Sequence, residues 1–133
     1  MQPWENEPDI WIGEGMVATR HPDSGHWCGY IMLPMDHPWM QVEETWDVLC
    51  DVHGGVTWRE NDLPDYTRDR VGSDFYPDYG CVGFDCHHSE DYAPYYKYRS
   101  TEYGEVYRDL EFVKGQILHM ARQAMRDRNA CFQ

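Results

Sequence analysis

Two short segments carry an aspartate and a histidine at the same spacing: Asp51-Val52-His53 before Gly54-Gly55, and Asp85-Cys86-His87 before His88. In an extended strand, residues two apart share a face, so each Asp points the same way as its His. On neighbouring strands the two pairs would bring together two carboxylates and two imidazoles. Such a nitrogen and oxygen donor set suits a divalent transition metal such as zinc or manganese. Glu90 or Asp91 could complete the shell, or act as a base on a metal-bound water whose pKa the ion lowers toward about 7. The expected ligand set is therefore Asp51, His53, Asp85, His87 and Asp91. The competing account is that each Asp bonds a nearby backbone N–H or imidazole and seals a strand end, because buried polar groups need partners.

His26 and Cys28 form a second pair sharing a strand face, although a lone pair of this kind more often packs in a core. The five cysteines, at 28, 50, 81, 86 and 131, form an odd set without a CxxC pair. That pattern argues against a disulfide framework and for a reducing cytoplasm. Nothing in the spacing brings a His to Cys50, Cys81 or Cys86 as an activating base. The chain has no GxGxxG, P-loop or GxSxG segment.

The elements that must position these residues read as an α+β fold spanning residues 1–133 as one domain. The expected architecture is an antiparallel sheet of about four or five strands with a long C-terminal helix packed on one face. Met16 to Arg20 and His26 to Leu33 form a hairpin across the turn His21-Pro22-Asp23-Ser24-Gly25. Trp46 to His53 reads as the clearest strand, reversing at Gly54-Gly55 into Val56-Thr57-Trp58. Cys81 to Cys86 is a further strand, with Val82 and Phe84 on one face and Gly83 and Asp85 on the other. Val106, Leu110, Val113, Ile117, Met120 and Ala124 recur at three- and four-residue steps and predict a helix from about Glu105 to Asp127. Three connecting stretches remain: an acidic arm over 1–15, a long loop over 59–79, and a loop over 88–104 carrying Tyr92, Tyr95, Tyr96, Tyr98 and Tyr103.

Twenty-four acidic residues against eleven Lys and Arg give a net charge of −13. Residues 60–91 hold nine of the acids and two bases. Such a field repels nucleic-acid phosphates over about 8 Å in physiological salt, which argues against direct nucleic-acid binding and for partners with basic surfaces. The contact candidates are Asp62, Asp65, Asp69, Asp74 and Asp78, with Tyr66, Phe75, Tyr76 and Tyr79 as aromatic anchors. The longest apolar run, Tyr30 to Leu33, is too short to cross a membrane. The opening Met1 to Glu7 lacks the basic and apolar stretches of a secretory signal.

The segments Gly25-His26-Trp27-Cys28-Gly29-Tyr30, Asp51-Val52-His53-Gly54-Gly55-Val56-Thr57 and Gly83-Phe84-Asp85-Cys86-His87-His88 stand in an order that resembles a set of small uncharacterised phage and prophage proteins. The tail Tyr107 to Lys114 is similar to theirs as well, so the resemblance covers roughly residues 25–125. It brings no established activity. What it implies is a viral accessory protein expressed in a bacterial cytoplasm. With the acidic loops, the leading expectation is a host-modulating or counter-defence inhibitor, anti-CRISPR-like, that binds a bacterial protein with a basic surface. The rival, from another class, is a small metal-dependent hydrolase or a sponge for a nucleotide signal. It would use the Asp/His cluster, with tyrosines to hold a base and Arg59, Lys97 and Arg99 as the nearest cations.

Overall fold

The computed structural model describes residues 2–95 and 104–130. Five antiparallel strands form one sheet: β1 (Ile10–Gly13), β2 (Met16–Arg20), β3 (Trp27–Leu33), β4 (Trp58–Glu60) and β5 (Gly80–Asp85), in the order β1-β2-β3-β5-β4. Three helices accompany them: α1 (Pro38–Gln41), α2 (Asp65–Val71) and α3 (Leu110–Ala130). The α+β class, the antiparallel sheet and the long C-terminal helix against it are as the sequence indicates, and the strand count is five. No described helix is long and apolar enough to cross a membrane.

Side-chain alternation along the central strands explains why β3 is buried at every position. Trp27, Ile31 and Leu33 face α3 together with Ala18, Val82 and Phe84, while Cys28, Tyr30 and Met32 face the other way with Val17 and Cys81. Apolar positions on both faces need a cover on both faces. On one side α3 supplies it with Val113, Ile117, Met120 and Ala124, all 3 % exposed or less. Each of these larger side chains stabilises the fold by about 1.5–3 kcal/mol relative to an exposed position. On the other side Leu63, Val71, Phe75 and Tyr76 close over the strands. The helix approaches closely because position 29 is glycine: a Cβ there would stand 2.5 Å from Phe84 and 2.8 Å from Ile117.

Four stretches differ from the sequence expectation. Trp46 to His53 is not a strand. After a 3-10 turn at Thr45–Asp47 it runs extended along α3, and its polar backbone is satisfied by helix side chains. Asp51 N donates to Gln123 Oε1 at 2.8 Å, Gln123 Nε2 donates to Asp51 O at 2.7 Å, and His53 N donates to Gln116 Oε1 at 2.9 Å. Within the acidic arm, residues 10–13 pair with β2 as the edge strand β1. The 59–79 excursion contains α2 and most of β4. The C-terminal helix begins at Leu110, because Asp109 Oδ1 accepts the Phe112 N–H at 2.8 Å and Glu7 Oε2 accepts that of Leu110 at 2.6 Å, satisfying first-turn donors. Val106 therefore lies outside it, in an isolated bridge with Asp91. Tyr96, Tyr98 and Tyr103, with Lys97 and Arg99, lie outside the described residues.

Candidate functional site

The strongest polar arrangement is built around Asp91. Its side chain has no solvent exposure. The bridge between Asp91 and Val106, flanked by Tyr92 N to Val106 O at 2.8 Å and Val106 N to Glu90 O at 2.9 Å, brings Arg108 beside it. Arg108 Nε donates to Oδ1 at 2.9 Å, and the His88 backbone N–H donates to Oδ2 at 3.0 Å. His53 Nε2 lies 3.0 and 2.9 Å from the two oxygens. A carboxylate can only accept, so Nε2 is the protonated nitrogen of His53. Burial alone would push the Asp91 carboxyl up; the donors from His53, Arg108 and the His88 amide outweigh it and hold the group below the ordinary carboxylate range. Phe112 completes the enclosure, edge-on to the His53 ring at 5.2 Å with the Arg108 guanidinium 5.2 Å from its centroid.

The five expected metal ligands are divided among separate partnerships. Asp91 holds His53. Asp51 is exposed and pairs with His119 of α3, Oδ2 to Nε2 at 3.0 Å. Asp85 Oδ1 accepts the His87 backbone N–H at 3.0 Å in the turn that ends β5. The His87 ring packs against His26 at 4.5 Å. His88 sits over Gly54 and comes within 3.4 Å of Asp85 Oδ1 without hydrogen-bond geometry. Among the described residues no three His, Cys, Asp or Glu side chains are grouped to hold a metal ion. Among the described residues no hydroxyl or thiol is hydrogen-bonded to His53 or His88. The buried thiols are also poor nucleophiles: burial pushes Cys28 up to about 12 and raises Cys81 and Cys86 further.

Five of the seven histidines nonetheless gather at this end of the sheet. The His21 ring stacks on His26 at 5.0 Å, His26 meets His87, and His53 lies 5.7 Å from His88. His26 is 6 % exposed. Burial, reinforced by the His87 and His21 rings and partly opposed by Asp85 and Asp91, lowers its pKa to about 4. Ser24 Oγ lies 2.8 Å from His26 Nδ1 and 3.2 Å from His21 Nδ1. His21 Nδ1 also accepts the Asp23 N–H at 3.2 Å, which leaves Nε2 as the protonated nitrogen of His21. His26 and Cys28 do meet across one cleft, with the Tyr66 hydroxyl 3.7 Å from the Cys28 sulfur. Sequence reasoning passed over Arg108 as a partner and His119, Gln116 and Gln123 altogether, and read His21 only as part of a turn. Arg108, His119, Gln116 and Gln123 are each joined to their partners by tertiary proximity, and none carries a local spacing signal.

The acidic stretch shows a separate organisation. Asp62, Asp65, Asp69, Asp74 and Asp78 are all exposed. The arginines of the same region turn inward onto backbone carbonyls. Arg70 binds Asp9 O and Arg20 O, Arg68 binds Gly72 O at 2.9 Å and Phe75 O at 2.7 Å, and Arg59 reaches Met40 O, Val42 O and Glu43 O. Of the five aspartates, Asp62 is ion-paired, with Arg68. Of the four aromatic anchors, Tyr79 is exposed, while Phe75 and Tyr76 pack beneath the sheet and Tyr66 turns into the histidine cleft. No family model, curated protein or solved structure matches the chain.

Proposed function

We propose that this chain is a phage-type accessory protein of the bacterial cytoplasm that binds and blocks a host protein through a basic surface on that host protein, in the manner of a counter-defence, anti-CRISPR-like inhibitor. The observation that carries the reading is the segregation of charge around α2. Carboxylates at 65, 69, 74 and 78 face solvent with no counter-ion among the described residues, while Arg59, Arg68 and Arg70 are consumed in tying down loops. Asp65 and Asp69 stand one helical turn apart, with about 5–6 Å between Cβ atoms. Such a surface complements a groove that evolved to hold phosphates, and it steers encounter with it. Tyr79 supplies an aromatic contact at its border.

The test is capture from a bacterial lysate by the wild-type chain and by a variant with Asp62, Asp65, Asp69, Asp74 and Asp78 all changed to Asn. At about 0.5 kcal/mol for each exposed charge pair, the variant loses roughly 2.5 kcal/mol, or nearly two decades of affinity. Capture should also weaken as salt rises and be displaced by duplex DNA. A partner held equally by both proteins removes the proposal. The metal-dependent hydrolase reading requires Asp51, His53, Asp85, His87 and Asp91 to regroup; stoichiometric zinc or manganese in the wild type, lost in His53→Ala, would put it ahead.

A further inference from the structure

The histidine cleft is distinct from the acidic face and its chemistry is different. It has a volume of about 220 Å³ between the start of β3, the end of β5 and the start of α2, and its walls include His21, His26, Thr57, Trp58, Tyr66 and Asp85. Drug-sized ligands occupy about 300–1,000 Å³, so this space takes a single small ring system. Its walls are largely flat π surfaces. Tyr66 stands edge-on to His21 at 5.3 Å, and His21 lies nearly parallel to His26, with 15° between the rings. The polar feature is Asp85. Its Oδ1 is committed to the His87 amide, and among the described residues Oδ2 has no hydrogen-bond partner. The cleft therefore offers aromatic faces for stacking and one carboxylate edge for N–H donors, inside a chain whose net charge of −13 disfavours anions.

We infer that this cleft is a binding site for a planar, uncharged or cationic nitrogen heterocycle of nucleobase size, held by stacking between His21, Trp58 and Tyr66 and by N–H donation to Asp85. A guanine ring fits this pattern, because its adjacent ring N–H and exocyclic amine present two donors to one carboxylate, one to the open Oδ2 and one to the second lone pair of Oδ1 beside the His87 amide. Adenine has no such pair. Stacking on aromatic side chains is tolerant of base identity, so Asp85 supplies the discrimination. The lowered pKa of His26 keeps that ring uncharged at neutral pH, leaving no added cation from it to recruit a phosphate.

Isothermal titration with guanosine, adenosine, guanosine monophosphate and inorganic phosphate tests this on the full chain at pH 7.5. Saturable guanosine binding at one site is expected, at least tenfold tighter than adenosine. The monophosphate should bind no better than the nucleoside, and phosphate alone should give no heat. Asp85→Asn, whose side-chain oxygen can still accept the His87 amide, should lose at least tenfold for guanosine while keeping the wild-type circular dichroism spectrum. Trp58→Phe, which keeps a ring, should retain binding within a few-fold. No saturable guanosine binding, equal binding of adenosine, or undiminished affinity in Asp85→Asn each overturns the assignment. Dominant binding of phosphate overturns it as well.

Discussion

Moving the protein from pH 7.5 to pH 5 is expected to cost about 2 kcal/mol of stability through His26 alone. The ring is 6 % exposed, with His21 and His87 against it and Ser24 Oγ on Nδ1. Burial first, then those neighbouring rings, lowers its pKa from 6.5 to about 4, with Asp85 and Asp91 opposing. Below pH 6.5 the unfolded chain takes up a proton that the folded ring refuses until about pH 4. Stability therefore falls by about 1.4 kcal/mol for each pH unit across that window, toward a limit of about 3 kcal/mol. Above pH 6.5 the group has no effect. With a urea slope of about 2 kcal/mol/M, the wild-type midpoint should drop by roughly 1 M between pH 7.5 and 5 from this source. Urea melts followed by circular dichroism at both pH values, on wild type and on His26→Gln, isolate the term, because every other titrating group is common to the two. His26→Gln should start lower at pH 7.5 and then lose about 2 kcal/mol less on acidification. If the two proteins lose the same stability, the account of His26 as a ring held neutral by burial is wrong.

Asp91→Ala leaves His53, Arg108 and the His88 amide without their acceptor and should destabilise by about 3 kcal/mol in the same melts; a loss under 1 kcal/mol would mean the cluster is not cohesive. The depressed carboxyl of Asp91 also contributes stability that is present above its ordinary value of 3.8 and lost as pH falls through the lower folded value, so an Asp91→Asn melt series should lack that acid limb. Gly54→Ala meets both a left-handed φ of 69° and the His88 ring at 2.1 Å, whereas Gly55→Ala meets a φ of 82° in open space. Gly54→Ala should cost more by at least about 1 kcal/mol, with the gap narrowing in a His88→Ala background, and equal costs would refute the steric argument. Native alkylation at pH 8 mapped by mass spectrometry should mark Cys50, the half-buried thiol, ahead of the buried Cys28, Cys81 and Cys86; prompt labelling of those three would contradict their placement.

The hairpin of β2 and β3, the strand β5 and the stripe of α3 were legible because each carries its own periodicity and its own stop. Pro34 follows β3, and the α3 positions 113, 117, 120 and 124 are the apolar ones the helix buries, beside the polar Gln123. Trp46 to His53 misleads for a physical reason. An alternating pattern reports an extended chain with one side buried, and Val48 and Val52 are indeed buried. It does not report who supplies the hydrogen bonds, and here the partners are Gln116 and Gln123 of a helix rather than a neighbouring strand. Helix α2 is seven residues long and rich in Asp and Arg, too short for an apolar stripe to show against the surrounding loop.

The same limit governs the site. The Asp-x-His rule holds only while the chain stays extended, and β5 ends at Asp85, whose carboxylate accepts the His87 amide in the turn that follows. The partnership that forms instead joins residues 53, 91 and 108 from three segments, and no local spacing encodes it. What the sequence did carry was composition: histidines at 21, 26, 53, 87 and 88 mark the sheet end where the cleft and the Asp91 cluster lie side by side. Composition also carried the charge imbalance, and the structure sharpens it. Arg20, 1 % exposed, binds Gly25 O and Glu7, and Arg59, Arg68 and Arg70 bind backbone carbonyls. Four of the eleven basic side chains are thereby committed to fastening loops and strands together. The fold spends much of its positive charge internally, so the surface presented around α2 is more acidic than a uniform spread of −13 would make it.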